Sequence, residues 1–274
     1  MSDKPGVSII IPTFNRANLL PRAIRSIQQQ SYGNWELIIV DDGSTDGTEQ
    51  EIKKIQDERI RYIRNEENIG AAESRNRGVS LAQYDFIAFQ DSDDVWRPDK
   101  LEKQMNYLCK GNDYDMVYCS FLHHYLDGGE LVVPNQQLGD REGCIFNTLL
   151  VNNVVGTPTI LIKKDRFLAC GGFDISLRAL EDWDFALRVS KDSRIGFLSE
   201  ILVDAYQTSG SISYDGAGYY EARCKMIACN VDYLQEIGLF DQLVMDIFHG
   251  AEQRGVLDAV EKIFLMSLKK YYKI

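Results

Sequence analysis

Short runs dense in β-branched and aromatic residues recur through the first 120 positions of this chain, and helical periodicity fills the gaps between them. The runs are VSIII (Val7–Ile11), WELIIV (Trp35–Val40), IRYI (Ile60–Ile63), DFIAF (Asp85–Phe89) and DMVYCS (Asp115–Ser120). They are short and near-continuous rather than alternating, as expected of strands buried on both faces. Pro12 is expected to stop the first. Between them lie a helix capped by Asn18, with Leu19, Leu20, Ala23, Ile24 and Ile27 inward, and a second from about Thr48, capped by Thr45 or Thr48. Further helical patterns cover NEENIGAAESRNRGVSLA and PDKLEKQMNYLCK. Strand alternating with helix predicts an α/β, Rossmann-like, mostly parallel sheet flanked by helices.

In such sheets ligands bind beyond the carboxyl ends of the strands. The unusual polar segments fall there: PTFNR after the first run, DDGSTDGT after the second, DSDD after the fourth. From Tyr125 to Asn153 the pattern weakens, as in a long surface excursion. TPTILIKKDRFLACGGFD then restores a strand and a short helix closed by Gly171 and Gly172. EDWDFALRVSK reads as a helix with an acidic first turn, IGFLSEILVDAY as a strand, and 216–274 as helices.

The chain has 274 residues and a formal net charge of −11. That length suits one large domain, or a domain with an extension. The acidic balance argues against nucleic acid as a partner. Six cysteines (Cys109, Cys119, Cys144, Cys170, Cys224, Cys229) lack zinc-site spacing and are expected to be buried as small hydrophobes. No signal peptide is read in MSDKPGVSIIIP and no apolar run reaches membrane-spanning length, so a cytoplasmic setting is expected.

Asp91, Asp93 and Asp94 follow the apolar run DFIAF within four positions. Oxygen ligands without a neighbouring His or Cys suit a hard cation, Mg²⁺ or Mn²⁺. Two carboxylates are too few to cage it, and such ions complete their shell with water and substrate phosphates. The cluster therefore points to a diphosphate substrate bridged by metal. On these residues alone an Asx turn capping the helix beyond Pro98 explains SDD equally well, and Gly43 and Gly47 need only make a turn. SRNRG fits an exposed helix face, or a helix from which Arg75 reaches a phosphate.

The order PTFNR, DDGSTDGT, Asn68 with Gly70, SRNRG, DSDD, RPDKL, GGFD and EDWDFALR resembles the family 2 glycosyltransferases of GT-A fold, over about residues 5–213. The resemblance implies a catalytic domain at 1–213, with a nucleotide-binding half at about 1–120 and an acceptor half at about 121–213, followed by a helical extension at 214–274. Pro12, Thr13 and Asn15 match the segment lining the nucleoside pocket. Asp42 matches the residue that binds the uracil ring, and Arg75 an arginine near the nucleotide. Asp91 matches the first Asp of the DxD motif, with Ser92 beside it on the donor, and Asp93 its last, the main metal ligand. Asp182 matches the catalytic base, with Glu181 and Trp183 at the acceptor site.

Chemistry supports the last assignment. Direct displacement needs a base for the attacking hydroxyl, a Lewis acid for the leaving diphosphate and an oxocarbenium-like transition state. Base and metal on opposite sides of the sugar give inversion. On its own EDWD reads as a first-turn acidic cluster facing the helix dipole; together with the other motifs it is read as carrying the base. Trp183 is read as a stacking face rather than core, His123 and His124 as solvated or structural, and Asp174 as part of a turn. The family's histidine near YRxHxxSxS is missing from YQTSGSIS (Tyr206–Ser213), where Ser209 is its nearest equivalent.

The implied activity is a metal-dependent, inverting transfer of a hexose or N-acetylhexosamine from a nucleotide diphosphate sugar, a UDP-sugar foremost, to a glycan or lipid-linked glycan. QxxRW is absent, so single transfer is expected rather than polymerisation. Bacterial surface polysaccharide synthesis is the expected setting. The C-terminal helices and the basic LKKYYKI are candidates for peripheral membrane contact. The alternatives are an inactive nucleotide-sugar binding module and a sugar nucleotidyltransferase, against which PTFNRAN lacks a glycine-rich loop.

Overall fold

The computed structural model describes residues 4–110, 113–135, 139–208 and 216–272. Its centre is a nine-stranded sheet. β1 (Val7–Thr13), β2 (Trp35–Asp41), β3 (Ile60–Arg64) and β4 (Phe86–Phe89) are parallel, in the order β3-β2-β1-β4. Every residue of β1 and β2 is buried, which is why these strands read as near-continuous runs. Successive residues feed opposite faces: Ile10, Ile38 and Ile87 enter one core, Ile9, Ile11 and Leu37 the other. Beyond β4 the order continues with β8 (Leu161–Lys163), β6 (Tyr114–His124), β9 (Arg194–Tyr206) and β5 (Val95–Trp96), while β7 (Glu130–Val133) pairs with β6. β8 is antiparallel to both β4 and β6, so β6 and its parallel neighbour β9 run in the direction of β1–β4. The expected α/β, mostly parallel architecture flanked by helices is thus observed.

Several local expectations are corrected. β1 runs through Pro12 to Thr13, because its ladder to β4 ends at Ile10 and needs no donor beyond. The helix α1 (Leu20–Gln28) starts after Leu19, without a side-chain cap from Asn18. The next, α2 (Thr48–Lys53), starts after Gly47, and it is Asp46 Oδ1 that accepts from Thr48 N at 2.9 Å. The excursion at 125–153 contains β7 and α5 (Phe146–Val151). Cys119 and Cys224 are buried, whereas Cys109, Cys144 and Cys229 are exposed.

The helix α3 (Ala71–Ser80) lies directly on β1. A Cβ at Gly78 would sit 2.4 Å from Ile10 Cγ2, so only glycine permits the approach. Arg75, one turn earlier, is thereby carried to the strand ends. On the far side, α4 (Lys100–Leu108) packs against β6 and β9. The short α6 (Lys164–Ala169) closes at Gly171 and Gly172, both at positive φ, and leads to α7 (Glu181–Ser190). The chain then forms α8 (Gly216–Ala228), α9 (Val231–Glu236), α10 (Phe240–Gln253) and α11 (Leu257–Tyr272). Tyr220, Leu243 and Phe264 of these helices share one core with Phe89 and Phe185. Among the described residues no helix is long and apolar enough to cross a membrane.

Candidate active site

A cleft of about 550 Å³ opens where β1, β2 and β4 end, and the three polar segments meet in it. Pro12 and Thr13 line it from the end of β1. Thr13 is 3% exposed, and its buried hydroxyl has no partner among the described residues. Phe14 also lines the cleft and leaves an apolar face 44% exposed. Asn15 is not in the wall. Its φ of 53° turns it outward, where its amide donates to Ser44 Oγ and its Oδ1 accepts from Thr45 N, both at 2.8 Å. It clamps the two strand-end loops together.

Asp42 is buried in the cleft wall just beyond β2. Its carboxylate accepts from Asn65 Nδ2 at 2.7 Å, Ile69 N at 2.9 Å and Gly70 N at 2.8 Å. Gly70, at φ 92°, turns its amide inward, so Asp42 fixes the Asn68–Gly70 rim of the cleft.

The three aspartates after β4 have three different fates. Asp91 accepts from Arg75 Nη2 at 2.7 Å. Asp94 is buried and accepts from Tyr206 N at 2.9 Å, pinning the end of β9. Burial, then the charges of Asp91 and Asp93, push its carboxyl well above the usual range. Asp93 faces the cleft, with Thr208 Oγ1 donating to it at 2.8 Å and Arg16 at 3.9 Å. Burial first and Asp91 second raise its pKa. Its negative charge is thus poorly compensated. Ser92 lines the cleft between them.

Arg75 also lines the cleft. Besides Asp91 it donates to Glu181 Oε1 at 2.8 Å, and burial of this paired guanidinium is nearly complete. It links the aspartate loop to the start of α7, and Glu181 spends its carboxylate on this arginine. Leu180, in the left-handed region at φ 59°, turns the chain into α7. Asp182 then lines the cleft, accepting from Trp183 N at 2.7 Å and from Thr157 N at 3.3 Å. Burial, then the charge of Glu181, raise its pKa to about 7. Trp183 is a correction. It is 4% exposed, donates from Nε1 to Leu149 O at 2.6 Å and packs its ring on Arg223, so no face is left for a sugar.

The structure adds Arg16, Phe121, His123 and Tyr219 to the cleft. Arg16 lies within PTFNR, and an acidic cluster calls for a nearby cation, so it was findable. His123, read as solvated or structural, reaches the cleft because β6 extends past Ser120. Tyr219 comes from α8, whose approach to the site carries no local signal. Ser209 lies outside the described residues.

The donor set suits a hard divalent cation. It consists of carboxylate oxygens, with Asp93 open to the cleft. Among the described residues no group of three or more His, Cys, Asp or Glu is disposed to hold a metal, so an ion here would share its shell with substrate and water.

The sequence profile described as Glycosyl transferase family 2 matches residues 8–165. An uncharacterized glycosyltransferase of Haemophilus influenzae is 36% identical over 186 residues, covering 68% of this chain and 62% of that protein. The putative teichuronic acid biosynthesis glycosyltransferase TuaG of Bacillus subtilis is 37% identical, covering 60% and 64%. The chain thus spans less than two thirds of either relative's length. The Escherichia coli UDP-Glc:alpha-D-GlcNAc-diphosphoundecaprenol beta-1,3-glucosyltransferase WfgD is 33% identical, covering 70% and 73%. Among solved structures, S. aureus TarS with UDP superposes with a TM-score of 0.66 at 22% identity, over 84% of this chain and 65% of that one. The mannosyltransferase PcManGT of Pyrobaculum calidifontis, with GDP-Man and Mn²⁺, gives 0.62 at 17% identity, over 96% and 74%. These two share the fold.

Proposed function

Because the chain belongs to glycosyl transferase family 2, we propose that it transfers a hexose or N-acetylhexosamine from a nucleotide diphosphate sugar to a hydroxyl of a glycan or lipid-linked glycan, with inversion. The observation that carries this reading is the convergence of Asp42, Asp93 and Asp182 on one cleft. A UDP-sugar is the preferred donor, a choice supported by the UDP and UDP-GlcNAc bound to TarS and by the name of WfgD. Relatives named for teichuronic and colanic acid biosynthesis support a role in bacterial polysaccharide assembly. The setting proposed is cytoplasmic, at the inner face of the membrane.

In this reading Pro12, Thr13 and Asp42 line the nucleoside end, and Phe14 offers its exposed ring to the base. Asp93 would hold Mn²⁺ or Mg²⁺ together with the donor diphosphate. When bound, that ion supplies Lewis-acid stabilisation of the leaving group. Arg16 adds positive charge at the same end. Asp182 takes the proton of the acceptor hydroxyl. A base with a pKa near 7 is about half ionised at neutral pH and still strong enough to pull the proton. Arg75 and Glu181 hold the loop of Asp91 and the helix of Asp182 in register. Phe121, His123 and Tyr219 form the wall left for the acceptor.

Calorimetric titration of UDP, with and without Mn²⁺, tests the donor half in the wild type and Asp93→Ala. Metal-dependent binding lost in the variant is the expected result. Equal or metal-independent binding would refute the role of Asp93, and absence of UDP binding would refute the choice of nucleotide.

A further inference from the structure

The segment RPDKL belongs to the family resemblance, yet neither its side chains nor those of the following Glu102–Gln104 enter the cleft. It holds a polar knot inside the protein. Lys100 is 0% exposed, and among the described residues no carboxylate pairs with it. Its ammonium lies 3.8 Å from the Trp96 ring centroid and donates to Gln104 Oε1 at 2.6 Å. Burial pulls its pKa down to about 8, with Cys119 the other titratable group that faces it. Burying an ammonium without a counter-ion is expensive, and an apolar side chain of similar shape would be cheaper.

The geometry shows what the lysine does. An ammonium only donates, so the oxygen of Gln104 must face it and the NH₂ must face the other way. That NH₂ donates to Thr159 O at 2.7 Å. Trp96 Nε1 donates to Pro158 O at 3.0 Å. Two buried donors therefore grip consecutive carbonyls of the 3-10 turn Thr157–Thr159. The first amide of the same turn, Thr157 N, is the group that donates to Asp182 Oδ2. The turn touches the knot with its carbonyls and the cleft carboxylate with its N–H.

We infer that Trp96, Lys100 and Gln104 are positioning residues for Asp182, acting through the Thr157–Thr159 turn. The inference rests on the reading of Asp182 as the base. The lysine sets the orientation of Gln104, Gln104 and Trp96 fix the turn, and the turn fixes the carboxylate.

Gln104→Glu separates positioning from simple burial of charge. The new carboxylate keeps a partner for Lys100 but offers Thr159 O no donor. The variant should bind UDP as the wild type does. With UDP-glucose or UDP-N-acetylglucosamine as donor and water as acceptor, kcat for UDP release should fall about tenfold or more, with KM unchanged. A readout independent of turnover is the titration of isotope-labelled aspartate carboxyls by NMR, with Asp182→Asn to assign the signal. Weakening the Thr157 N–H bond disfavours the carboxylate, so the midpoint of Asp182 should move up. Glu181, Asp91 and Arg75, which face it, stay the same. If Gln104→Glu does not fold, Trp96→Phe removes one grip on the turn and is read the same way. A midpoint unchanged from the wild type overturns the inference. Failure of the wild type to bind the UDP-sugars would refute the choice of nucleotide instead, and the titration would still decide the positioning.

Discussion

Arg75→Met cuts a buried tie between the aspartate loop and the helix of Asp182. The guanidinium sits 2.7 Å from Asp91 and 2.8 Å from Glu181, with 6% of its side chain exposed. Removing one partner of a buried ion pair costs about 3–5 kcal/mol, because the charge left behind has neither partner nor water. Here the partners keep 28% and 17% exposure, so cleft water recovers part of the loss and the lower end, about 3 kcal/mol, is expected. Methionine retains much of the arginine's apolar stem, so the packing contribution is small. With a urea slope of about 1–3 kcal/mol per M, the unfolding midpoint should fall by about 1 M or more. In a Glu181→Gln background the loss should shrink by about 1–3 kcal/mol, the coupling expected within one network. Activity supplies a second sign. Arg75 is among the charges that hold the pKa of Asp182 down. Without it the base ionises later, and the rising limb of the rate profile moves to higher pH. A midpoint within about 0.3 M of the wild type, or a coupling near zero, would refute the tie.

Asp182→Asn should lower transfer by about 10²–10⁴-fold while calorimetric UDP binding is kept; lost binding would deny it the role of base. The folded-state pKa of Asp182 is raised from 3.8 to about 7, so its stabilising share is complete at low pH and is lost as pH rises through about 7. The melting temperature of Asp182→Asn relative to wild type should therefore climb from acid pH to about 7, and a pH-independent difference would contradict the burial of this carboxyl. Trp183→Phe removes the donor to Leu149 O and should cost about 1–3 kcal/mol in urea unfolding, with acceptor KM unchanged; a raised KM would return the ring to the acceptor site. Met245, Leu265 and Met266 stand 71%, 58% and 70% exposed on α10 and α11. Replacing all three with serine should reduce recovery in liposome flotation, and equal recovery would remove membrane contact from the proposal. Deleting 216–274 is the poorer test, since α8, α10 and α11 help to fill the core.

The legible parts of this molecule are those whose cause is local. β1, β2 and β4 announce themselves because burial on both faces leaves little room for polar side chains. The sequence signal for β6 stops at Ser120, because Phe121–His124 are half-buried and lose the apolar pattern where the strand borders the cleft. β5 is two residues long, and only the ladder of Val95 and Trp96 to Asp204 and Val203 makes it a strand. Trp183 was misassigned because a first-turn residue gives no clue to which face of its helix is covered. The pairing of Arg75 is not legible in the sequence because its two carboxylates lie 16 and 106 residues away.

The acidic cluster shows why motif and mechanism are different statements. Three aspartates within four positions repel one another, and a bound cation is the economical explanation for all three. The fold distributes the charge otherwise. Asp91 is met by Arg75, and Asp94 by burial, a raised pKa and the backbone amide of Tyr206. Asp91 and Asp93 both line the cleft, but Asp91 is already paired, whereas Asp93 has a hydroxyl and an arginine at 3.9 Å as company. The demand for a cation that the sequence spreads over three residues therefore falls on one. A single carboxylate binds a hard divalent ion weakly unless another anion shares it. On this argument, affinity for Mn²⁺ should be low in the free protein and should rise steeply when UDP is added. By linkage, the same factor must describe the gain in UDP affinity on adding Mn²⁺. Tight Mn²⁺ binding without nucleotide would mean that Asp91 leaves Arg75 to join Asp93, and the ion pair at the centre of the site would then be a resting arrangement rather than the working one.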